Sequence, residues 1–356
     1  MLWLGAALPA VLLAGVWRAA RRRPHLIGSL DSPALALAAS QDGSSVAALT
    51  QSGAVRVWSN QHRVFRALPF DGSNTFRNWN PPSADDPAQL QFSPDGRSVF
   101  ASTYFLLTSG GEMARCWSAT SRKALWSAFP NGTEDLGRFW MSSDGTRLIQ
   151  RTWTWGKVFD LTSPCTPQPS KWSRTACSFA PVQKFDFHAT KTIIPQELAL
   201  THDDSTLIVL ENGGSLAFWD VTKGNLLKQG KFLWRTPAPS PKMQIVGTAV
   251  IAPSPNDHFV AVCNGATLWL WSNASHTWTR TITISRAQHN IAWAPDSRSF
   301  WISGDAVQEL GAPDLRPLRT LPVSGPVALS GDGQTLVTRS VPKAGEGAGV
   351  WTWNVG

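Results

Sequence analysis

Apolar residues along this chain fall in short runs in which every second position is apolar, and acidic or glycine-containing turns break the runs at regular intervals. Seven such turns stand out: Asp42-Gly43, Asp95-Gly96, Asp144-Gly145, Asp203-Asp204, Asn256-Asp257, Asp296-Ser297 and Asp332-Gly333. A period of two is that of a β-strand with opposite faces, and an Asp-Gly between two such runs is a hairpin signal. In the second unit, residues 88–92 alternate, 93–96 turn and 97–102 return. A third strand is expected as at 214–220, a turn at 221–224, and a fourth strand as at 225–230. Downstream of six turns an aromatic residue ends an apolar run: Trp58, Trp117, Phe159, Trp219, Trp271 and Trp353. The tryptophans among them recur at one strand position, which predicts packing between neighbouring units. Four strands per unit, repeated about every 48 residues, predict an all-β, seven-bladed β-propeller of four-stranded antiparallel blades.

These features resemble the WD-repeat family over residues 25–356. Phe218-Trp219-Asp220 matches that family's strand-ending dipeptide, and Phe92-Ser93-Pro94-Asp95-Gly96 matches its first hairpin. Val55-Arg56-Val57-Trp58 and Leu268-Trp269-Leu270-Trp271 are similar third strands, although the full Trp-Asp pair occurs once. The last unit reads as incomplete by one strand. The run 25–30 is the expected replacement, pairing with residues 350–355 and closing the ring, as strand exchange does in propellers that resemble this one.

Ahead of the repeats lie two segments of different character. Residues 1–17 are uncharged and apolar, and residues 18–24 carry Arg18, Arg21, Arg22 and Arg23. As a helix the first segment would reach about 25 Å, a little short of a hydrocarbon core of about 30 Å. Trp3 and Trp17 suit the membrane interface, and arginine side chains extend to head groups. The expectation is a transmembrane signal-anchor helix at 1–17, a basic juxtamembrane linker at 18–24 and the propeller at 25–356. Positive charge after the apolar run places the propeller on the cytoplasmic side of a single-pass membrane protein. The alternatives are an exported or periplasmic propeller behind a cleaved signal, and an organelle leader. Four arginines in this linker also account for half of the +8 net charge, so nucleic-acid binding is not expected.

The remaining chemistry is sparse. Cys116, Cys165, Cys177 and Cys263 lack CxxC spacing, and all four are expected as buried free thiols. His202-Asp203-Asp204 resembles a metal cluster in isolation, but it aligns with a hairpin turn. No phosphate loop or HExxH pattern is present, and no catalytic residue, metal or cofactor is expected. Longer segments at 71–87, 103–113, 171–194, 235–245 and 340–348 are all assigned to one face, opposite the short turns. They bring Arg77 and Trp79, Trp172 and Arg174, and Trp234 and Arg235 to a candidate partner-binding surface, since Trp and Arg dominate interface anchors. The chain therefore reads as a non-enzymatic protein–protein interaction scaffold. Its protein partner is expected at the same membrane, with this chain a subunit or assembly factor of a membrane complex. The competing reading is an enzyme or small-ligand binder at the central channel.

Overall fold

The computed structural model describes residues 24–52, 54–59, 64–68, 88–102, 114–121, 123–128, 138–151, 155–163, 165–167, 176–179, 181–186, 195–221, 228–229, 231–239, 249–284, 290–339 and 348–356. Seven blades, each with four antiparallel strands, follow one another around a ring, and the sheets of blades 2 and 3 are extended by short outer strands. Blade 1 comprises Ala34–Ala39, Ser45–Thr50, Val55–Ser59 and Val64–Leu68; blade 2 comprises Gln89–Phe92, Ser98–Ser102, Ala114–Ser118 and Ala124–Ala128. Blade 3 is built from Arg138–Met141, Arg147–Arg151, Trp155–Asp160 and Pro181–Asp186, and blade 4 from Pro195–Leu200, Thr206–Glu211, Leu216–Asp220 and Lys231–Arg235. Blade 5 holds Ala249–Pro253, Phe259–Asn264, Thr267–Ser272 and Thr277–Thr283, and blade 6 holds Ile291–Trp293, Ser299–Ile302, Val307–Gly311 and Pro317–Leu321. Blade 7 takes Val327–Leu329, Thr335–Arg339 and Ala348–Asn354 from the end of the chain and His25–Leu30 from its start.

The core is a chain of interfaces rather than one centre. Seven apolar clusters each join two neighbouring blades, because inner strands such as Ser45–Thr50, Thr206–Glu211 and Thr267–Ser272 are buried at successive positions and so give a blade two apolar faces. The six strand-ending aromatics share one structural slot. Trp58 pairs with Val46, Trp117 with Val99, Phe159 with Leu148, Trp219 with Leu207, Trp271 with Val260 and Trp353 with Leu336. Each packs against the preceding blade: Trp117 on blade 1, for example, and Trp271 on blade 4. In blade 6 the slot is filled by Leu310, opposite Phe300, packed on blade 5.

Polar side chains add links at the ends of the second strands. Ser102 donates to the Phe139 carbonyl, Arg151 to that of Gln196 and Arg339 to that of Ala34, each on the next blade.

Ring closure pairs the expected strands, but residues 25–30 meet residues 348–352 rather than 350–355. His25 faces Thr352, Leu26 faces Trp351, Gly28 faces Val350, Ser29 faces Gly349 and Leu30 faces Ala348. Leu30 then enters the cluster joining blades 7 and 1.

Three expectations require correction. The fourth strand of blade 4 is Lys231–Arg235, not 225–230; Lys228–Gln229 instead pairs with blade 3. The segment 171–194 is not one connection: it is split by the fourth strand of blade 3, Pro181–Asp186, so its first part joins third and fourth strands and its second part leads to blade 4. Cys165 and Cys177 form a disulfide, whereas Cys116 and Cys263 are free and buried. Residues 1–17, proposed as a membrane helix, and most of the linker 18–24 lie outside the described residues. Among the described residues no helix is long and apolar enough to cross a membrane.

Candidate interaction surface

One face of the ring is formed by the seven first-hairpin turns, and its order comes from a repeated side-chain network. In six turns a hydroxyl at the start (Ser40, Ser93, Ser142, Thr201, Ser254, Ser330) donates to the acid or amide two residues on, at 2.5–2.8 Å. The same hydroxyl accepts the N–H five residues on, locking the returning strand. In all seven turns the Asp or Asn oxygen also accepts the N–H two residues beyond it, at 2.8–3.0 Å. These bonds hold Asp42, Asp95 and Asp203 below the usual carboxylate range, with burial opposing them at each.

Blade 6 has Ala294 at the hydroxyl position, so it keeps the backbone bonds and the Arg298 N–H bond to Asp296 but lacks both hydroxyl links. Ala294→Ser is expected to add about 0.5–1 kcal/mol of stability, read as a shift of the denaturant midpoint at constant slope.

The residue after each acid adopts a left-handed conformation, with φ of 55–72°. Four blades place glycine there; the other three place Asp204, Asp257 and Ser297 and use the side chain to reach the preceding blade. The Asp257 carboxylate accepts the His202 N–H at 2.8 Å, and the Ser297 hydroxyl accepts the Asn256 N–H at 3.1 Å. Asp204 accepts the Ser143 N–H and lies beside Asp144. Burial and the Asp144 charge push Asp204 up to about 6, despite the nearby Arg147. At Asp144, burial is outweighed by hydrogen bonds from Ser142 and Thr146, and its carboxyl falls to about 2. His202-Asp203-Asp204 is thus a turn and an inter-blade link.

The connections at 69–87, 103–113, 236–248 and 340–347 join second to third strands or one blade to the next, so the strand ends they link point away from the hairpin turns. Arg77, Trp79, Trp172 and Arg174 lie outside the described residues, as do Trp3, Trp17, Arg18, Arg21, Arg22 and Arg23. By chain position Arg77 and Trp79 fall between blades 1 and 2. Trp172 and Arg174 fall between the third and fourth strands of blade 3. Trp234 and Arg235 belong to the outer strand of blade 4, where Trp234 faces Phe218 and Arg235 faces Ala217.

Between the faces runs a central cavity of about 380 Å³, lined by first strands of blades 1 to 5 and by Asn290. Its wall is mixed, with Leu90, Trp140 and Ile251 beside Gln91, His202 and a buried Glu197. Gln91 is committed to the Ser142 carbonyl at 3.1 Å. Among the described residues no group of three or more His, Cys, Asp or Glu is arranged to hold a metal ion.

The outer rim carries two features that sequence periodicity did not reveal. Ala176–Ser178, from the third-to-fourth connection of blade 3, pairs in parallel with the outer strand of blade 2. Lys228–Gln229, from the equivalent connection of blade 4, pairs in parallel with the outer strand of blade 3. Two consecutive blades thus have their outer edges covered by the blade that follows. Exposed edges template unwanted strand pairing, so such covers protect the ring.

No family model matches this chain, and no curated protein matches it. Among solved structures it is similar to a chain from the crystal structure of the mitotic checkpoint complex, with a TM-score of 0.61. The match is 15% identical in sequence and covers 92% of this chain and 90% of that one. At that identity the likeness is one of fold. The protein is a seven-bladed β-propeller.

Proposed function

We propose that the protein is a non-enzymatic scaffold that holds a protein partner at a membrane, anchored through residues 1–17 and carrying its propeller as a rigid docking body. The observation that carries this reading is the asymmetry between the faces. Seven short, hydrogen-bonded turns build one face, while most of the longer connections leave from the other, where a scaffold does not require them. A closed ring presents such connections preorganised, which lowers the ordering cost of binding. The resemblance to WD repeats and the complex from which the similar fold comes point the same way.

The test is affinity purification from gently solubilised membranes, followed by mass spectrometry. A stoichiometric protein companion is expected, and it should be lost when Arg77 and Trp79 are replaced together by alanine, with thermal unfolding unchanged. Recovery of the protein alone would overturn the scaffold reading.

For the side of the membrane, two readings compete. The arginines after the apolar run favour a cytoplasmic propeller. The Cys165–Cys177 bond favours the exported alternative, since disulfides persist in oxidising compartments. Protease protection in sealed membranes separates the two.

A further inference from the structure

Of the two strands that cover outer edges, one is stapled and the other is not. Thr166–Pro167 and Ala176–Ser178 form a small antiparallel hairpin, with Thr166 facing Ser178 and Pro167 facing Cys177. The Cys165–Cys177 disulfide closes it across a Cα–Cα distance of 5.5 Å. Cys177 also faces Ala128, and Ala176 faces Ser127, so the stapled strand is itself the cover of blade 2. Just beyond it, Phe179 is buried edge-on against Trp126, with ring centroids 5.4 Å apart, and Trp126 in turn meets Phe100 of the blade 2 core.

Two residues of parallel pairing are too few to hold a strand against solvent, and an isolated two-stranded hairpin is marginal. The cover therefore depends on what fixes the hairpin. Both sulfur-bearing residues are only half-buried, within reach of small reagents, whereas Cys116 and Cys263 are buried in blade interiors.

We infer that the Cys165–Cys177 pair is a redox latch: oxidised, it holds the hairpin of blade 3 over the outer edge of blade 2, and reduced, it releases that edge. Closing the latch is a thiol–disulfide exchange with a disulfide-bearing oxidant. One cysteine thiolate attacks the oxidant's sulfur to form a mixed disulfide. The second thiolate then displaces the oxidant's remaining thiolate. One protein disulfide forms, two protons leave the cysteines, and the oxidant takes up two electrons to become two thiols. A dithiol or phosphine reductant reverses the change.

On release, the outer strand Ala124–Ala128 regains an unpaired edge, and Phe179 loses its fixed seat on Trp126. The cover of blade 3 carries no disulfide and provides an internal control.

Hydrogen exchange of the full-length protein, with and without a phosphine reductant, tests the latch, with disulfide mapping by mass spectrometry on the same sample. The expected starting state has Cys165 linked to Cys177, and Cys116 and Cys263 resistant to alkylation until unfolding. Reduction should speed exchange in Ala124–Ala128 and Ala176–Ser178 at least tenfold and leave Pro181–Asp186 and blade 5 unchanged. Cys165→Ser should reproduce the reduced pattern without reductant. Free thiols at both positions in the starting state, unchanged exchange at blade 2, or faster exchange throughout the ring would each overturn the inference.

Discussion

Gly28→Val is expected to weaken the ring at its seam, lowering stability by about 2–4 kcal/mol and leaving blades 2 to 6 folded longest on heating. The reason is local. A Cβ at Gly28 would lie 2.3 Å from Nε1 and 2.9 Å from Cε2 of Trp58. That indole is buried in the cluster joining blades 7 and 1, so it has no free space into which to swing. Gly28 also pairs with Val350 across a register shift, and the added side chain would push the closing strand off its partner. Removing residues 24–30 altogether should be more severe. It leaves the strand Ala348–Asn354 as a bare edge and takes Leu30 out of the core. Exchange in Ala348–Asn354, followed with thermal unfolding, checks both variants. Unaltered protection there would show that closure contributes little.

The second large effect concerns pH. Asp204 has its carboxyl raised by burial and by Asp144, to about 6 from an unfolded value near 4. A group raised in the folded state supports folding fully below its unfolded pKa. That support is lost as pH rises through the folded pKa. Stability should therefore decline between about pH 4 and pH 6.5 on account of this residue, with Asp257, also raised chiefly by burial, adding in the same direction. Asp144 has the opposite sign, but its support fades only as pH falls towards about 2, outside this window. Asp204→Asn keeps an acceptor for the Ser143 N–H, tolerates the left-handed backbone and offers Asp144 a donor. It should raise stability at pH 7 by about 1–3 kcal/mol and flatten the decline. Denaturant midpoints of both proteins at pH 5 and pH 7 provide the check, and an unchanged slope with pH in the variant would refute the assignment.

What the sequence disclosed was the part of the fold written in local patterns. The hairpin turns could be read because hydroxyl, acid and left-handed residue fall within about five positions. Six third-strand aromatics could be read because one slot recurs; the seventh escaped because Leu310 fills it in blade 6. The closing strand was legible as a surplus strand at one end matched to a deficit at the other. The outer covers were not, since Ala176–Ser178 and Lys228–Gln229 are too short to show a period and pair with a different blade. The same limit displaced the fourth strand of blade 4, where Lys228–Gln229 and Lys231–Arg235 form one polar-apolar stretch split between two sheets. Cysteine pairing was hidden for a related reason: a separation of 12 residues has no meaning until a hairpin brings the ends together. Of the proposed surface, Trp234 and Arg235 were assigned to a loop because the fourth strand of blade 4 was expected at 225–230 and instead is Lys231–Arg235.

The strand His25–Leu30 is synthesised before blades 1 to 6 but has its partner in Ala348–Asn354, which follows all of them. At about 5–20 residues per second, a ribosome needs roughly 15–60 seconds to supply that partner. Throughout that interval the earliest strand must wait, while blades 1 to 6 assemble in order behind it. Should the segment before it already be held in a bilayer, the waiting strand would be kept at a fixed point, and the nascent ring would close back towards it.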